Sequence, residues 1–182
     1  MQVAIQERPM SLFTEYDIEA PGQSLYAKKQ FLSLFSKVEL KDASERVIAR
    51  LQGQFSILRN KYEFDLTDGR VFRFECTDRL RNVYECRSGD DVYALYEHRG
   101  LSRSIFRNEQ QIAAYSKSRV TFGKGHRYEI RMDNDADLTV VVCMVLALSV
   151  GEDNGDEQST VNFDFGNIGF QGREIDDSWE PK

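Results

Sequence analysis

The chain has 182 residues with 30 acidic and 24 basic side chains, for a net charge of −6, a size that suits one domain built on one core. No strongly basic surface follows from this balance, which argues against avid, nonspecific binding to a nucleic-acid backbone. Three cysteines make a disulfide framework improbable, and the first residues (MQVAIQERPMSLFTEYD) hold no basic segment followed by an apolar one, so a cytoplasmic location is expected, peripheral to the inner membrane surface if the chain binds lipid.

In chain order, residues 1–24 read as an N-terminal extension. A loose repeat follows: FLSLFSKVEL at 31–40 returns as FSILRNKYEF at 55–64, with a shared Lys, apolar, Glu, apolar core. RYEI at 127–130 is a weaker third copy in which arginine replaces lysine. In the second copy Tyr62, Phe64 and Leu66 fall on one side of a strand, with Lys61, Glu63 and Asp65 on the other, the mark of a half-buried strand. Further alternating segments are 47–52, 71–76, 82–87, 92–98, 102–107, 111–118 and 126–132. The turn sequences Lys41-Asp42-Ala43-Ser44, Thr67-Asp68-Gly69, Ser88-Gly89-Asp90 and Gly123-Lys124-Gly125 separate such segments, which predicts consecutive antiparallel hairpins. Closing so many strands into a barrel removes exposed edges and creates an apolar lumen. Cys76 and Cys86 lie on neighbouring predicted strands, and a reducing compartment favours two free thiols over a bridge.

Residues 138–150 (LTVVVCMVLALSV) are apolar without interruption. As an α-helix the run spans about 20 Å, short of the ~30 Å hydrocarbon core of a bilayer, and it is too long for an ordinary strand. It reads as a helix at about 136–150, apolar all round and enclosed by protein, which makes it the natural filling of the barrel. Val140, Val141 and Val142 are β-branched, so burial rather than intrinsic propensity must hold it. Asn134 or Asp135 is the expected cap, Asp137 suits the positive dipole end of the first turn, and Gly151 is the expected stop. Residues 154–182 then form an acidic tail, since nine of the acids fall within 151–182 against only Arg173 and Lys182. Inside it, VNFDFGNIGF at 161–170 either adds a strand or docks in a groove, or is part of a disordered tail.

The stretches YAKKQFLSLFSKVELKD, FSILRNKYEFDLTDG and IAAYSKSRVTFGKGHRYEIRMDNDADLTVVVCMVLALSVGED resemble LURP-one-related proteins, a family that belongs with the Tubby C-terminal domain and the phospholipid scramblases. The resemblance covers about 25–153. It implies a mainly β fold, a closed antiparallel barrel of twelve strands around one central hydrophobic C-terminal helix. For activity it implies less: Tubby domains bind phosphoinositides, scramblases are associated with lipid movement and calcium, and fold does not settle function. The chain has no match to the phosphoinositide-contacting lysine and arginine of Tubby. No binding residue therefore carries over from Tubby, and without the membrane-anchoring segment and palmitoylated cysteine cluster expected of a scramblase, direct scrambling is not expected.

The best candidate for ligand chemistry is the basic group Lys117, Arg119, Lys124, Arg127 and Arg131, around the hairpin that leads into the helix. Strand alternation is expected to put Lys117 with Arg119, and Arg127 with Arg131, on polar faces able to hold an anionic headgroup by charge-assisted hydrogen bonds. The competing reading, which weighs more, is a solvated barrel exterior partly neutralised by Glu129. Asp133, Asp135 and Asp137 mimic the start of a calcium loop, but Leu138 and Met144 stand where glycine and glutamate are required, and helix capping accounts for these acids. His98 and His126 have no partner at metal-ligand spacing. No nucleophile elbow or phosphate-cradling loop is present, and Arg99, Arg103 and Arg107 lie on strand and loop rather than a helical stripe. No catalytic residue, metal or cofactor is therefore expected.

The expected function is a non-catalytic module that binds anionic phospholipid headgroups at the inner membrane surface. The alternative is a regulatory protein-interaction domain without lipid binding. A scramblase-like transporter or an enzyme ranks lower, because an occupied lumen leaves no cavity. The acidic tail is further expected to cover the basic patch and compete with an anionic ligand.

Overall fold

A computed structural model describes residues 1–9, 13–30, 37–54, 61–118, 125–156 and 170–182. The strands are β1 (Gln2–Pro9), β2 (Phe13–Ala20), β3 (Gln23–Gln30), β4 (Lys37–Asp42), β5 (Val47–Gln54) and β6 (Lys61–Leu66). They continue with β7 (Val71–Asp78), β8 (Val83–Ser88), β9 (Asp91–Glu97), β10 (Ser102–Arg107), β11 (Gln110–Lys117) and β12 (Arg127–Met132), and the helix α1 spans Leu138–Asp156. Each strand pairs antiparallel with the next, and β1 pairs with β12 to close the barrel. At the closure Val3 lies opposite Ile130 and Ile5 opposite Tyr128.

Period-two alternation sets which side chains point inward. Tyr62, Phe64 and Leu66 of β6, Phe72, Phe74 and Cys76 of β7, and Tyr128, Ile130 and Met132 of β12 are all buried. Phe74 stacks between Phe64 and Tyr84 at centroid distances of 5.8 and 5.5 Å. Helix α1 fills the lumen. Val140, Val141, Val142, Cys143 and Met144 are consecutive and wholly shielded from solvent, so every face of the helix meets the barrel wall. Burial of that order, about 1.5–3 kcal/mol per large apolar side chain, outweighs the few tenths that each β-branched valine costs a helix. No helix among the described residues is long and apolar enough to cross a membrane. The three cysteines are free and buried, and burial pushes the Cys86 thiol well above its usual range.

Three boundaries differ from the sequence reading. Residues 1–24 are no extension, since they supply β1, β2 and the start of β3. Val3, Ile5, Tyr16 and Ile18 point inward, and Gly22 turns the chain at φ 78°. Without β1 and β2 the barrel would carry two open edges. Helix capping falls on Asp137 rather than Asn134 or Asp135. Its Oδ1 accepts the Val140 amide at 3.1 Å, and its Oδ2 accepts Arg70 Nη1 at 2.7 Å. Residues 133–136 are still turning, with the Ala136 amide donating to the Asp133 carbonyl. Gly151 does not stop the helix, which runs on to Asp156. Gly151 is itself buried, and an enclosed helix tolerates the roughly 1 kcal/mol that an interior glycine costs.

The two ends of the lumen differ. Where α1 enters, the inward positions are apolar. Toward the opposite end they become Glu7, Lys29, Glu97, Arg103 and Lys117, all buried. Arg103 Nε donates to Glu97 Oε1 at 3.2 Å, and its guanidinium lies 5.7 Å from the Tyr115 ring centroid.

Candidate functional site

Two hollows among the described residues lie on the outer face of the barrel. The structure divides the predicted basic group. Lys117 shares the inward side of β11 with Tyr115 and is buried, so it does not join a polar outer face with the other cations. Arg119 and Lys124 lie outside the described residues. Arg127 and Arg131 do share the outer face of β12, with Glu129 between them. Arg127 Nε pairs with Glu129 Oε1 at 3.3 Å, whereas among the described residues Arg131 forms no ion pair or side-chain hydrogen bond.

Strand register builds a trough around these residues. Glu19, Ala4, Glu129, Ser116 and Ser102 form one row across β2, β1, β12, β11 and β10. Gln2, Arg131, Ala114, Ser104 and Tyr96 form the next, from β1 to β9. Successive small side chains leave the sheet surface low, and Glu129 and Arg131 stand up from it. On one side of them is a groove of about 490 Å³, lined by Ala4, Glu19, Ser116 and Arg127 among others. On the other is a hollow of about 120 Å³, bounded by Ser104, Ala114, Ile175, Asp176 and Asp177. Both share Ser116, Glu129 and Arg131. The walls carry Glu19, Glu129, Asp176 and Asp177 against Arg127, Arg131 and the Glu97-paired Arg103, a slightly acidic balance that does not favour an anionic headgroup.

The far wall is part of the tail. Residues 171–182 cross the barrel exterior as a strap. Gly172 lies against Val83 and Tyr96, and Gln171 Oε1 accepts the Arg99 amide at 3.3 Å. The guanidinium of Arg173 sits 4.0 Å from the Phe106 ring centroid and 5.5 Å from that of Tyr96, and it reaches Glu109 at 3.3 Å. Farther along, the Lys182 amide donates to Asp133 Oδ1 at 2.8 Å, and the Asn134 amide donates to the Lys182 carbonyl at 2.9 Å. Asp133 and Asp137 are thereby engaged in separate structural bonds. Of the tail segment 161–170, only Phe170 is within the described residues, and it is exposed.

Beneath the strap lies His98, an outward residue that is nonetheless only 1% exposed. Its Nε2 is 2.7 Å from Ser104 Oγ, and among the described residues its Nδ1 has no hydrogen-bond partner. Burial pushes its pKa below the ordinary histidine value, opposed by the Arg173 backbone, the Gln171 side chain and Asp177. The described part of the tail, residues 170–182, therefore covers an aromatic and histidine surface and borders the hollow that Arg131 lines. Sequence reasoning missed Tyr96, His98, Phe106 and Arg173 as one cluster. Outward parity on β9 and β10 was the available signal, since a buried histidine and phenylalanine on outward positions require a cover.

Among known proteins, the sequence model of the LURP-one-related family matches residues 1–149. No curated protein and no solved structure matches the chain.

Proposed function

The chain belongs to the LURP-one-related family, and on that premise we propose that it is a non-catalytic binding module whose outer barrel face, from β2 across β12 to the strap, takes a segment of a protein partner. One observation carries this reading: the same face already holds an irregular stretch of polypeptide, residues 171–182, which walls a hollow of about 120 Å³ that adjoins the groove of about 490 Å³. The low floor of Ala4, Ala114 and Ser116 admits a main chain close to the sheet, and Arg127, Glu129 and Arg131 offer charged groups to fix its register.

A photo-crosslinking side chain at Ser116 tests this. The expected outcome is one discrete protein adduct that Arg131→Asp removes; adducts that are absent, or indifferent to Arg131, contradict the reading. Anionic headgroup binding is the second reading, favoured by one observation, that Arg131 lacks a partner among the described residues. Sedimentation with anionic but not neutral vesicles, sensitive to salt and lost in Arg131→Ser, would select it over the protein partner.

A further inference from the structure

The strap is held in an unusual way. Gly172 is pressed so close to the wall that a Cβ there would come 2.4 Å from Val83 Cγ2 and 3.2 Å from Tyr96 Cδ1, so no side chain fits at that position without displacing the wall. The next residue, Arg173, places its guanidinium over Phe106 and near Tyr96, two rings that meet edge to face at 5.4 Å and 88°. Glu109 supplies the counter-charge from the β10–β11 turn. A planar cation, an aromatic pair and a carboxylate together make an arginine slot, and the close contact one residue earlier demands glycine.

The slot is only loosely occupied. Arg173 is 37% exposed and Glu109 80% exposed in their ion pair. That pair and the Gln171 bond to Arg99 are both 3.3 Å long. Ile175 of the strap and Phe170, just before it, remain exposed. Exposed pairs of this kind contribute little and exchange readily with solvent. Under the strap, Phe106 and His98 are almost wholly covered on outward positions where a bare barrel would expose them.

We infer that the Tyr96, Phe106 and Glu109 slot is a recognition site for a Gly-Arg dipeptide at a bend in a protein partner, and that Arg173 is its internal competitor. The inference rests on the polypeptide-binding reading of the outer face and names a second point of contact on it. In the strapped state the slot is filled by the chain's own Gly172 and Arg173. A partner carrying the same pair displaces them, uncovers the surface around His98 and Ser104, and shifts Ile175 to Asp177 away from the wall of the trough. Binding at the slot and enlargement of the trough are then one event, and the strap sets the threshold for both.

The test uses the full chain and a fluorescein-labelled peptide with the sequence of residues 170–182, followed by anisotropy. Full-chain Arg173→Ala, whose slot is vacated, is expected to bind the peptide about tenfold more tightly than the wild-type chain. A peptide with alanine in place of its arginine is expected not to bind either chain, and Glu109→Gln in the Arg173→Ala background is expected to weaken binding severalfold. Equal binding to both chains, binding to neither, or full binding of the alanine peptide overturns the inference. Concentration-dependent dimerisation of the wild-type chain that Arg173→Ala abolishes assigns the slot to a second copy and overturns the partner reading. Failure here with the Ser116 adduct intact removes the slot alone; loss of the adduct removes the reading beneath it.

Discussion

The inner face of the barrel is filled along its axis by one covalently continuous element, α1, whereas the outer face between β8 and β12 is covered by a strap with two long, exposed bonds to the strand side. The same alternation makes both surfaces. Inward positions such as Ile5, Phe64, Leu95 and Ile105 are wholly buried in the core that also holds the helix. Outward positions such as Ala4, Ala114 and Ser116 are small, and they leave volume that nothing in the fold requires. Stability is thus concentrated on the inside of the sheet and chemical opportunity on the outside, and substitutions should separate the two.

The largest effect belongs inside. Leu146→Asp places a carboxylate on the barrel axis with no partner, a cost of several kcal/mol in a fold of marginal stability, and is expected to abolish folding as read by circular dichroism. A soluble, native-like Leu146→Asp chain would dissolve the contrast between the faces. At the mouth, Asp137→Ala removes the N-cap and the Arg70 ion pair together, and chemical denaturation should report a loss of about 1–2 kcal/mol.

A smaller effect is expected in the strap, with a defined sign. His98 is buried with its pKa held below the ordinary value of about 6.5, so the strapped state disfavours the proton while an unstrapped His98 accepts it. Docking is fully present above about pH 6.5 and is lost as pH falls from there toward the depressed pKa. Ser104, Gln171, Arg173 and Asp177 face the ring, and Asp177 is the one acid among them that resists the change. Trp179, the single tryptophan, lies in the strap. Its fluorescence should therefore change as pH falls below about 6.5 in the wild-type chain and stay flat in His98→Gln; an identical titration in both would remove His98 from the account. The smallest effect on stability is expected from Arg131→Ser, within about 0.5 kcal/mol, because the side chain is exposed and forms no bond among the described residues.

Much of the architecture was legible because burial imposes a period. The alternation at 61–66 named Tyr62, Phe64 and Leu66 as one buried side, 71–76 and 126–132 were legible as strands, and the apolar run at 138–150 required enclosure on every side. The N-terminal strands were harder to read, since Gln6, Glu7 and Arg8 interrupt the apolar positions of β1, and Glu7 is an inward charge. Lys117 was misplaced for the same reason. Charge suggested an outward position, yet it lies two residues beyond inward Tyr115 in a lumen whose far end is polar. The strap was the least legible part. Contact between Arg173 and Phe106 joins residues far apart in the chain, and no local pattern in the tail announces it.

Hydrogen exchange resolved by segment tests the contrast between the faces most directly. The account predicts that amides of residues 140–150 exchange only through global unfolding, at the slowest rate in the chain, while those of residues 171–179 exchange orders of magnitude faster through local release. Strap amides as protected as the helix would contradict it, and so would helix amides that exchange as fast as the strap.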